Sequence, residues 1–131
     1  MSTLFTKIIH GELPSYKIAE DDKFYAFLDI NPLKEGHTLV IPKQEIDYFF
    51  DIHDDLLQEY ILFSKRVAKA IEKSIPCVRV GLTVIGLEVP HAHIHLIPID
   101  KITDMSFNSS KVQLTSDRML EIQELITSNF I

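Results

Sequence analysis

The chain has 131 residues, 46% of them hydrophobic, which is enough apolar material for one domain with a buried core and too little length for two. Its net charge of −6 argues against a general electrostatic attraction to nucleic acid or to an anionic membrane. The single cysteine, Cys77, excludes an intramolecular disulfide and a thiolate zinc cluster within one chain. Since the sequence has no signal-peptide pattern and no apolar run of about 18 residues, we expect a cytoplasmic protein that does not span a membrane.

The first half of the chain predicts a short helix followed by a meander of strands. Residues 4–9 have the apolar spacing of a short helix, which nearby glycine and proline residues end. Residues 16–19 and 23–28 are rich in β-forming side chains and are separated by acidic residues, a pattern typical of an antiparallel hairpin. A turn with proline and glycine then leads into a third strand over residues 37–41.

The second half predicts a long helix, two strands and a closing helix. Apolar residues recur at the helical period over residues 54–73. Residues 78–85 and 89–99 have the composition of strands, and a short turn at residues 86–88 would make them antiparallel neighbours. A second amphipathic helix is expected over about residues 116–130. This order predicts an α+β fold: an antiparallel sheet of about five strands, with a long helix between strands and a C-terminal helix.

Three histidines alternate with apolar residues in the segment Val-Pro-His-Ala-His-Ile-His-Leu, and they are His91, His93 and His95. In an extended chain this spacing puts the imidazoles on one face, with successive rings about 6.5 to 7 Å apart. Imidazole titrates near neutral pH, so a row of these rings can hold a neutral nucleophile beside a proton donor. The pattern therefore indicates phosphoryl or acyl transfer.

The central ring, His93, is the candidate nucleophile because it alone would have an imidazole on each side. A backbone carbonyl or His91 would keep its far nitrogen protonated and leave the near nitrogen free to attack. His95 would donate to a phosphate oxygen or to the leaving group. Two alternatives stay open: histidines that only pack within a sheet, and a metal enzyme that binds an ion through these rings, with Glu88 as a possible further ligand.

The segment from His91 to Ile97 resembles the signature of the histidine-triad (HIT) proteins, in which three histidines alternate with apolar residues. Further segments resemble the N-terminal half of that family in order and spacing, namely residues 4–9, 11–14, 27–30 and 36–43. The resemblance extends over about residues 4–100. Several motifs in one order are far more specific than the triad alone.

The resemblance implies a HIT-like fold, with residues 1–131 forming a single domain that has its core in residues 4–100 and a C-terminal extension. It also implies a nucleotide-binding hydrolase or transferase, nearest to the Hint-like nucleoside phosphoramidases, that acts as a homodimer on a purine nucleotide or related nucleoside phosphate. Such an enzyme cleaves a nucleoside phosphoramidate or dinucleoside polyphosphate through a nucleotidyl-His93 intermediate, with no metal and no cofactor.

The family's site residues carry over to matching positions of this sequence. His37 would support the triad from the neighbouring strand, or would only form a hydrogen bond within the sheet. Asp29 would bind the ribose hydroxyls, since a carboxylate within an apolar run is costly unless it binds something. The alternative is an aspartate that caps the turn at Asn31. The remaining nucleotide-binding residues would be Leu4, Phe5, Ile8, Leu13, Phe27, Ile30 and Glu88.

Two departures from the family pattern affect these expectations. Relatives that bind zinc have two cysteines near the start and a histidine after the third strand, where this chain has Thr3, Thr6 and Glu45, so we expect no structural zinc. Before the triad, Leu87 replaces an amide side chain, and no asparagine lies between residues 80 and 86 to contact phosphate. Each lost donor can slow such a reaction about 100-fold to 1000-fold, which favours an alternative: a nucleotide-binding module with little turnover.

Overall fold

The computed structural model describes residues 2–131, and its elements follow the predicted order. A short N-terminal helix precedes three strands, a long helix separates these from two further strands, and a helix closes the chain. The bounds are α1 (Leu4–Ile9), β1 (Lys17–Glu20), β2 (Phe24–Leu28), β3 (Thr38–Pro42), α2 (Asp54–Ser74), β4 (Arg79–Thr83), β5 (Ile94–Ile99) and α3 (Ser116–Asn129), with short 3₁₀ turns at Phe49–Asp51 and Ile102–Met105.

The strands form one antiparallel sheet in the order β1-β2-β3-β5-β4, which confirms the α+β fold with five strands. Because side chains alternate between the two faces of a strand, the sheet has two distinct apolar layers. On one face, Phe24, Ala26 and Leu28 of β2 join the core beneath α2 and α3. On the other face, Tyr25 and Phe27 form a smaller cluster with Phe5 of α1. That second face carries the site described below.

The helices cover the first face through amphipathic stripes. In α2 the buried residues recur at intervals of three and four, and His53 caps the N-terminus by accepting a hydrogen bond from the Leu56 amide at 3.2 Å. In α3 the buried residues are Met119, Ile122 and Ile126. Within residues 2–131, no helix combines the length and hydropathy needed to cross a membrane.

Tyr60 of α2 fixes the place where β5 begins. Its hydroxyl donates to the carbonyl of Val40 in β3 and accepts from the amide of Ile94 at 3.1 Å. The side chain is fully buried, and burial raises the pKa of its hydroxyl. One phenol therefore satisfies a backbone group on each of two adjacent strands, one residue from His93.

Replacing Tyr60 by phenylalanine should lower the free energy of unfolding by about 1 to 3 kcal/mol, because two buried backbone groups lose their partner while the ring is kept. Denaturant unfolding followed by circular dichroism measures this. Tyr48→Phe is the matched control, since Tyr48 is exposed and should change stability little. Equal stability of the two variants would show that the Tyr60 hydroxyl contributes nothing.

The connection between β4 and β5 differs from the prediction. Instead of a tight turn at residues 86–88, an irregular loop covers residues 84–93, and strand β5 begins only at Ile94. At Pro90 the chain makes a three-residue turn, with the His91 amide donating to the Val89 carbonyl at 2.8 Å, and the Ala92 amide then bonds to Ile46 at 2.7 Å. His91 and His93 therefore lie in this loop, and of the three histidines only His95 is part of a strand.

Candidate active site

A cavity of about 230 Å³ lies between α1 and the second face of the sheet. Apolar side chains from α1 and β2 form one side, and two triad imidazoles form another. The lining includes Leu4, Phe5, Ile8, Phe27, Asp29, Ile30, Glu88, His93 and His95, together with Pro14, Ser15, Leu28, Asn31, Leu39 and Val89. Most of the residues assigned to nucleotide binding therefore meet in one place.

His93 is oriented by the backbone of its own loop. Its Nδ1 lies 2.7 Å from the carbonyl oxygen of His91, and because a carbonyl can only accept, Nδ1 carries the proton. Nε2 then holds a lone pair. No buried side-chain nitrogen or oxygen of residues 2–131 lacks a hydrogen-bond partner, so this unbonded Nε2 reaches solvent, and His93 lines the cavity. The imidazole thus has the protonation pattern of a nucleophile.

A hydrogen bond from His37 determines which ring nitrogen of His95 carries the proton. The Leu33 amide donates to His37 Nδ1 at 3.0 Å, so the proton of the neutral His37 ring is on Nε2. That nitrogen is 3.0 Å from His95 Nδ1 and donates to it, which leaves the proton of His95 on Nε2. His95 therefore has an N–H donor available on the side of the ring that is not bonded to His37.

Both rings remain neutral well below physiological pH. Burial, together with the neighbouring His95 and Lys111, lowers the pKa of His37 to about 3. Burial, His93 and Lys111 likewise lower the pKa of His95 to about 4. The 3.6 Å approach of Asp29 Oδ2 to His37 Nε2 is therefore not an ion pair at neutral pH, because His37 carries no charge there.

These pKa values predict that the two histidines make the folded protein less stable in acid. In the unfolded chain both histidines bind a proton near pH 6.5, whereas in the folded chain they do so only near pH 3 to 4. The unfolded state then binds more protons, so the free energy of unfolding falls as pH decreases from about 6.5 to 4, by at most about 1.4 kcal/mol per pH unit for each group.

Denaturant unfolding between pH 4 and 7.5 tests this, with His37→Gln expected to show a shallower dependence than the wild type. His10→Gln is the control, since the His10 side chain is 63% exposed and should leave the slope unchanged. An identical slope in wild type and His37→Gln would contradict the buried neutral state of His37.

His91 does not stand in a row with the other two rings. Its Nε2 donates to the Pro42 carbonyl at 2.8 Å, so Nδ1 accepts from the Thr3 hydroxyl at 2.8 Å. The neighbours of His93 are accordingly His95, at 4.9 Å between ring centroids, and Phe5, at 5.0 Å. The prediction that His93 has an imidazole on each side is wrong, because the turn at Pro90 directs His91 into the interior.

The positions that carry zinc ligands in some relatives form a hydrogen-bonded cluster in this chain. Glu45 Oε1 accepts from the Thr3 amide and from the Thr6 hydroxyl, each at 2.7 Å, and Thr3 in turn reaches His91. This set has no thiolate and one imidazole, whose two nitrogens already have partners, so it does not fit a structural zinc ion. The contacts instead connect α1 to the histidine loop.

The structure does not support a metal ion bound by the three triad histidines. Within residues 2–131, the one group close enough to share an ion is Asp29, His37 and His95, whose donor atoms lie within 4.8 Å of one another. His91 and His93 are not members, so an ion held by the three triad rings is not supported. Both nitrogens of His37 already have hydrogen-bond partners, namely the Leu33 amide and His95 Nδ1.

Asp29 caps the turn at Asn31 and also lines the cavity. Its Oδ1 accepts from the Asn31 amide at 2.8 Å, which is the expected turn cap. The residue also lines the cavity, where burial raises its pKa and the Asn31 amide and the charge of Lys111 lower it. Asp29 is thus held by the turn at a position on the cavity lining.

Leu13, Leu87 and Glu88 differ in how they relate to the cavity. Leu13 is half-buried but does not line the cavity, whereas Pro14 and Ser15, in the turn after α1, do. Leu87 is 87% exposed and contributes no donor to the site, whereas Glu88, which is also exposed, is one of the lining residues.

Sequence reasoning missed Phe107, which lies in the segment between β5 and α3. Its ring packs edge-on against His95 at 4.8 Å and against His37 at 6.2 Å. No local signal in the polar stretch around it distinguishes this phenylalanine, since its role arises from contacts with residues far away in the chain.

The antiparallel sheet, with an unprotonated imidazole nitrogen beside an apolar cavity, defines a histidine-triad domain. Residues 10–102 match the family model of the HIT domain, and the chain belongs to the HIT family.

Two relatives and one crystal structure illustrate the similarity. A HIT-like protein of Borreliella burgdorferi is 36% identical over 134 residues, which cover 96% of each chain. The adenosine 5'-monophosphoramidase HNT1 of Saccharomyces cerevisiae is 42% identical over 96 residues, covering 72% of this chain and 61% of HNT1. The crystal structure of a Hit-like protein from Bartonella henselae, described as involved in cell-cycle regulation, superposes with a TM-score of 0.84 at 28% identity and covers 98% and 97% of the two chains.

Proposed function

We propose that this protein hydrolyses a purine nucleoside phosphoramidate or dinucleoside polyphosphate to the nucleoside monophosphate through a nucleotidyl-His93 intermediate. The observation that carries the proposal is the hydrogen bond from His93 Nδ1 to the His91 carbonyl, which leaves Nε2 as a free nucleophile at the cavity. The similarity to a yeast adenosine 5'-monophosphoramidase supports the same substrate class.

In the first step, the Nε2 lone pair of His93 forms a bond to the α-phosphorus. The bond between phosphorus and the leaving nitrogen or oxygen breaks, and its electron pair stays on the leaving group, which takes a proton. His95 donates a hydrogen bond from its Nε2–H to that group and stabilises the developing charge, while the proton that the group takes comes from water, because a neutral imidazole does not give up its only proton. The His91 carbonyl stabilises the positive charge that His93 gains, through the Nδ1 proton.

In the second step, water attacks phosphorus and the bond to His93 Nε2 breaks, so the electron pair returns to the imidazole. The proton that water loses replaces the one taken by the leaving group, and the nucleoside monophosphate is released. The substrate's base would lie among Phe5, Ile8 and Phe27, and Asp29 would accept from the ribose hydroxyls.

The direct test is to incubate the purified protein with adenosine 5'-phosphoramidate in the presence of a chelator and to measure AMP and ammonia. We expect catalytic turnover that is unaffected by EDTA, because no step uses a metal ion. Loss of activity with the chelator, restored by one added metal, would instead favour the ion site at Asp29, His37 and His95.

A nucleotide-binding module with little turnover is the second candidate. It is favoured by the Glu88 carboxylate on the cavity lining, which repels phosphate, and by the exposed position of Leu87. Calorimetry with AMP separates the two functions when it accompanies the activity assay. Tight binding without turnover would support the module and contradict the enzyme.

We also propose that the protein acts as a homodimer. Strand β4 is an edge of the sheet, with backbone groups free to pair with a second copy, and exposed apolar side chains lie nearby at Tyr48, Phe50, Ile61 and Leu82. These residues line a groove of about 620 Å³. A monomeric mass in light scattering at micromolar concentration would contradict the dimer.

The cytoplasm is the location we propose, because the chain has one cysteine, Cys77, which is free. Cell fractionation that recovers the protein outside the cytoplasm would contradict this assignment.

A further inference from the structure

The segment between β5 and α3 lies against the reactive histidines. Its end is attached to the loop that follows Asp29, because the Val112 amide donates to the Pro32 carbonyl at 2.8 Å. Its middle is in contact with the site through Phe107, whose ring packs edge-on against His95. The segment is therefore adjacent to His95, which assists the leaving group in the proposed reaction, although its residues are not part of the cavity lining.

The segment carries Lys111, which lies beside Phe107 and has no acidic partner. Lys111 is half-buried, its Nζ donates to the Phe107 carbonyl at 3.1 Å, and it lies 5.6 Å from the centre of the Phe107 ring. Among the described residues 2–131, no carboxylate lies within 4.0 Å of this ammonium group. An ammonium has three N–H donors, and here one of them has a protein acceptor.

We propose that Lys111 binds a phosphate group of the leaving moiety, so that the enzyme favours nucleotides that carry a phosphate beyond the α-phosphate over those that carry an amine. This inference rests on the proposed function and names the substrate class within it. The geometry supports it, since the Phe107 carbonyl and ring hold the ammonium group in place while two of its three N–H donors remain for an anion.

The charge of Lys111 reaches the reacting groups. It lowers the pKa of Asp29, of His37 and of His95, while burial remains the largest influence on each. In a chain of net charge −6 with a carboxylate at the cavity, a fixed cation at this point compensates for the phosphate-binding donors that the 84–93 loop lacks.

Calorimetry with AMP and with α,β-methylene ADP tests the inference without depending on turnover, because the methylene bridge resists cleavage. We expect wild type to bind the diphosphate analogue more tightly than AMP, and Lys111→Gln to reduce that preference about tenfold, the usual scale for one charge-assisted contact. Lys111→Arg should keep the preference. Lys101→Gln is the matched control, since it removes an exposed lysine from the same segment.

Equal loss of affinity for both nucleotides in Lys111→Gln, or no loss, would overturn the inference. Kinetic measurements then show whether the role of Lys111 or the proposed hydrolase function has failed. If wild type cleaves a dinucleoside polyphosphate and a phosphoramidate, and Lys111→Gln lowers kcat/KM equally for both, the function stands and the role of Lys111 fails. If wild type cleaves neither but the binding preference depends on Lys111, the role of Lys111 stands and the hydrolase fails.

Discussion

His93→Ala should reduce turnover of adenosine 5'-phosphoramidate by about 10⁴-fold or more, because the reaction loses the atom that forms the bond to phosphorus. Binding should change far less. In the proposed binding mode the base and ribose contact α1, β2 and Asp29 rather than the imidazole, so the affinity for AMP should stay within about tenfold of the wild type. Steady-state kinetics measure the first effect and calorimetry measures the second.

His10→Ala serves as the matched control, since it also removes an imidazole but at a side chain that is 63% exposed. It should retain wild-type kcat. If His93→Ala keeps turnover within about tenfold of this control, His93 is not the nucleophile, and attack by water activated elsewhere in the site must be considered.

His95→Phe should lower kcat by about 100-fold to 1000-fold with little change in KM, because the Nε2–H donor acts on charge that develops at the leaving group in the transition state. An aromatic ring at this position preserves the contacts with His93 and Phe107. The loss should be larger for a poor leaving group than for a good one, since a poor leaving group needs more assistance. A loss that appears in KM alone would contradict a role for His95 in the chemical step.

His37→Phe provides a separate test of how His95 is positioned. It removes the donor to His95 Nδ1, so the proton of His95 is then shared between the two ring nitrogens. We expect a smaller loss of kcat, about tenfold, accompanied by a change of the His95 ¹⁵N resonances towards mixed tautomers. Wild-type ¹⁵N resonances in this variant would show that His37 does not set the tautomer.

The sequence predicted the elements well where the signal is local. The helical period over residues 54–73 corresponds to α2, because burial on one face imposes that period directly, and the β-forming composition of residues 23–28 corresponds to β2. The candidate residues Phe5, Phe27, Asp29 and His93 do meet in one cavity, as the resemblance to HIT proteins led us to expect.

The prediction failed where distant contacts override local pattern. The alternation of His91, His93 and His95 has the period of a strand, but the turn at Pro90 and the bond from Ala92 to Ile46 keep the chain out of the sheet until Ile94. The imidazoles consequently separate into a pair at the cavity and a third ring in the interior.

The amino-acid sequence was sufficient to give the order of elements, the α+β class and the identity of the residues that could perform chemistry, since these follow from local periodicity and residue type. The sequence did not determine which ring nitrogen of each histidine carries the proton. That depends on hydrogen bonds between residues far apart in the chain, such as His37 with His95 and His91 with Pro42, and the placement of Phe107 and Lys111 beside the site depends on how the C-terminal segment packs. Such contacts exist only in the folded chain, where burial removes water as the alternative partner.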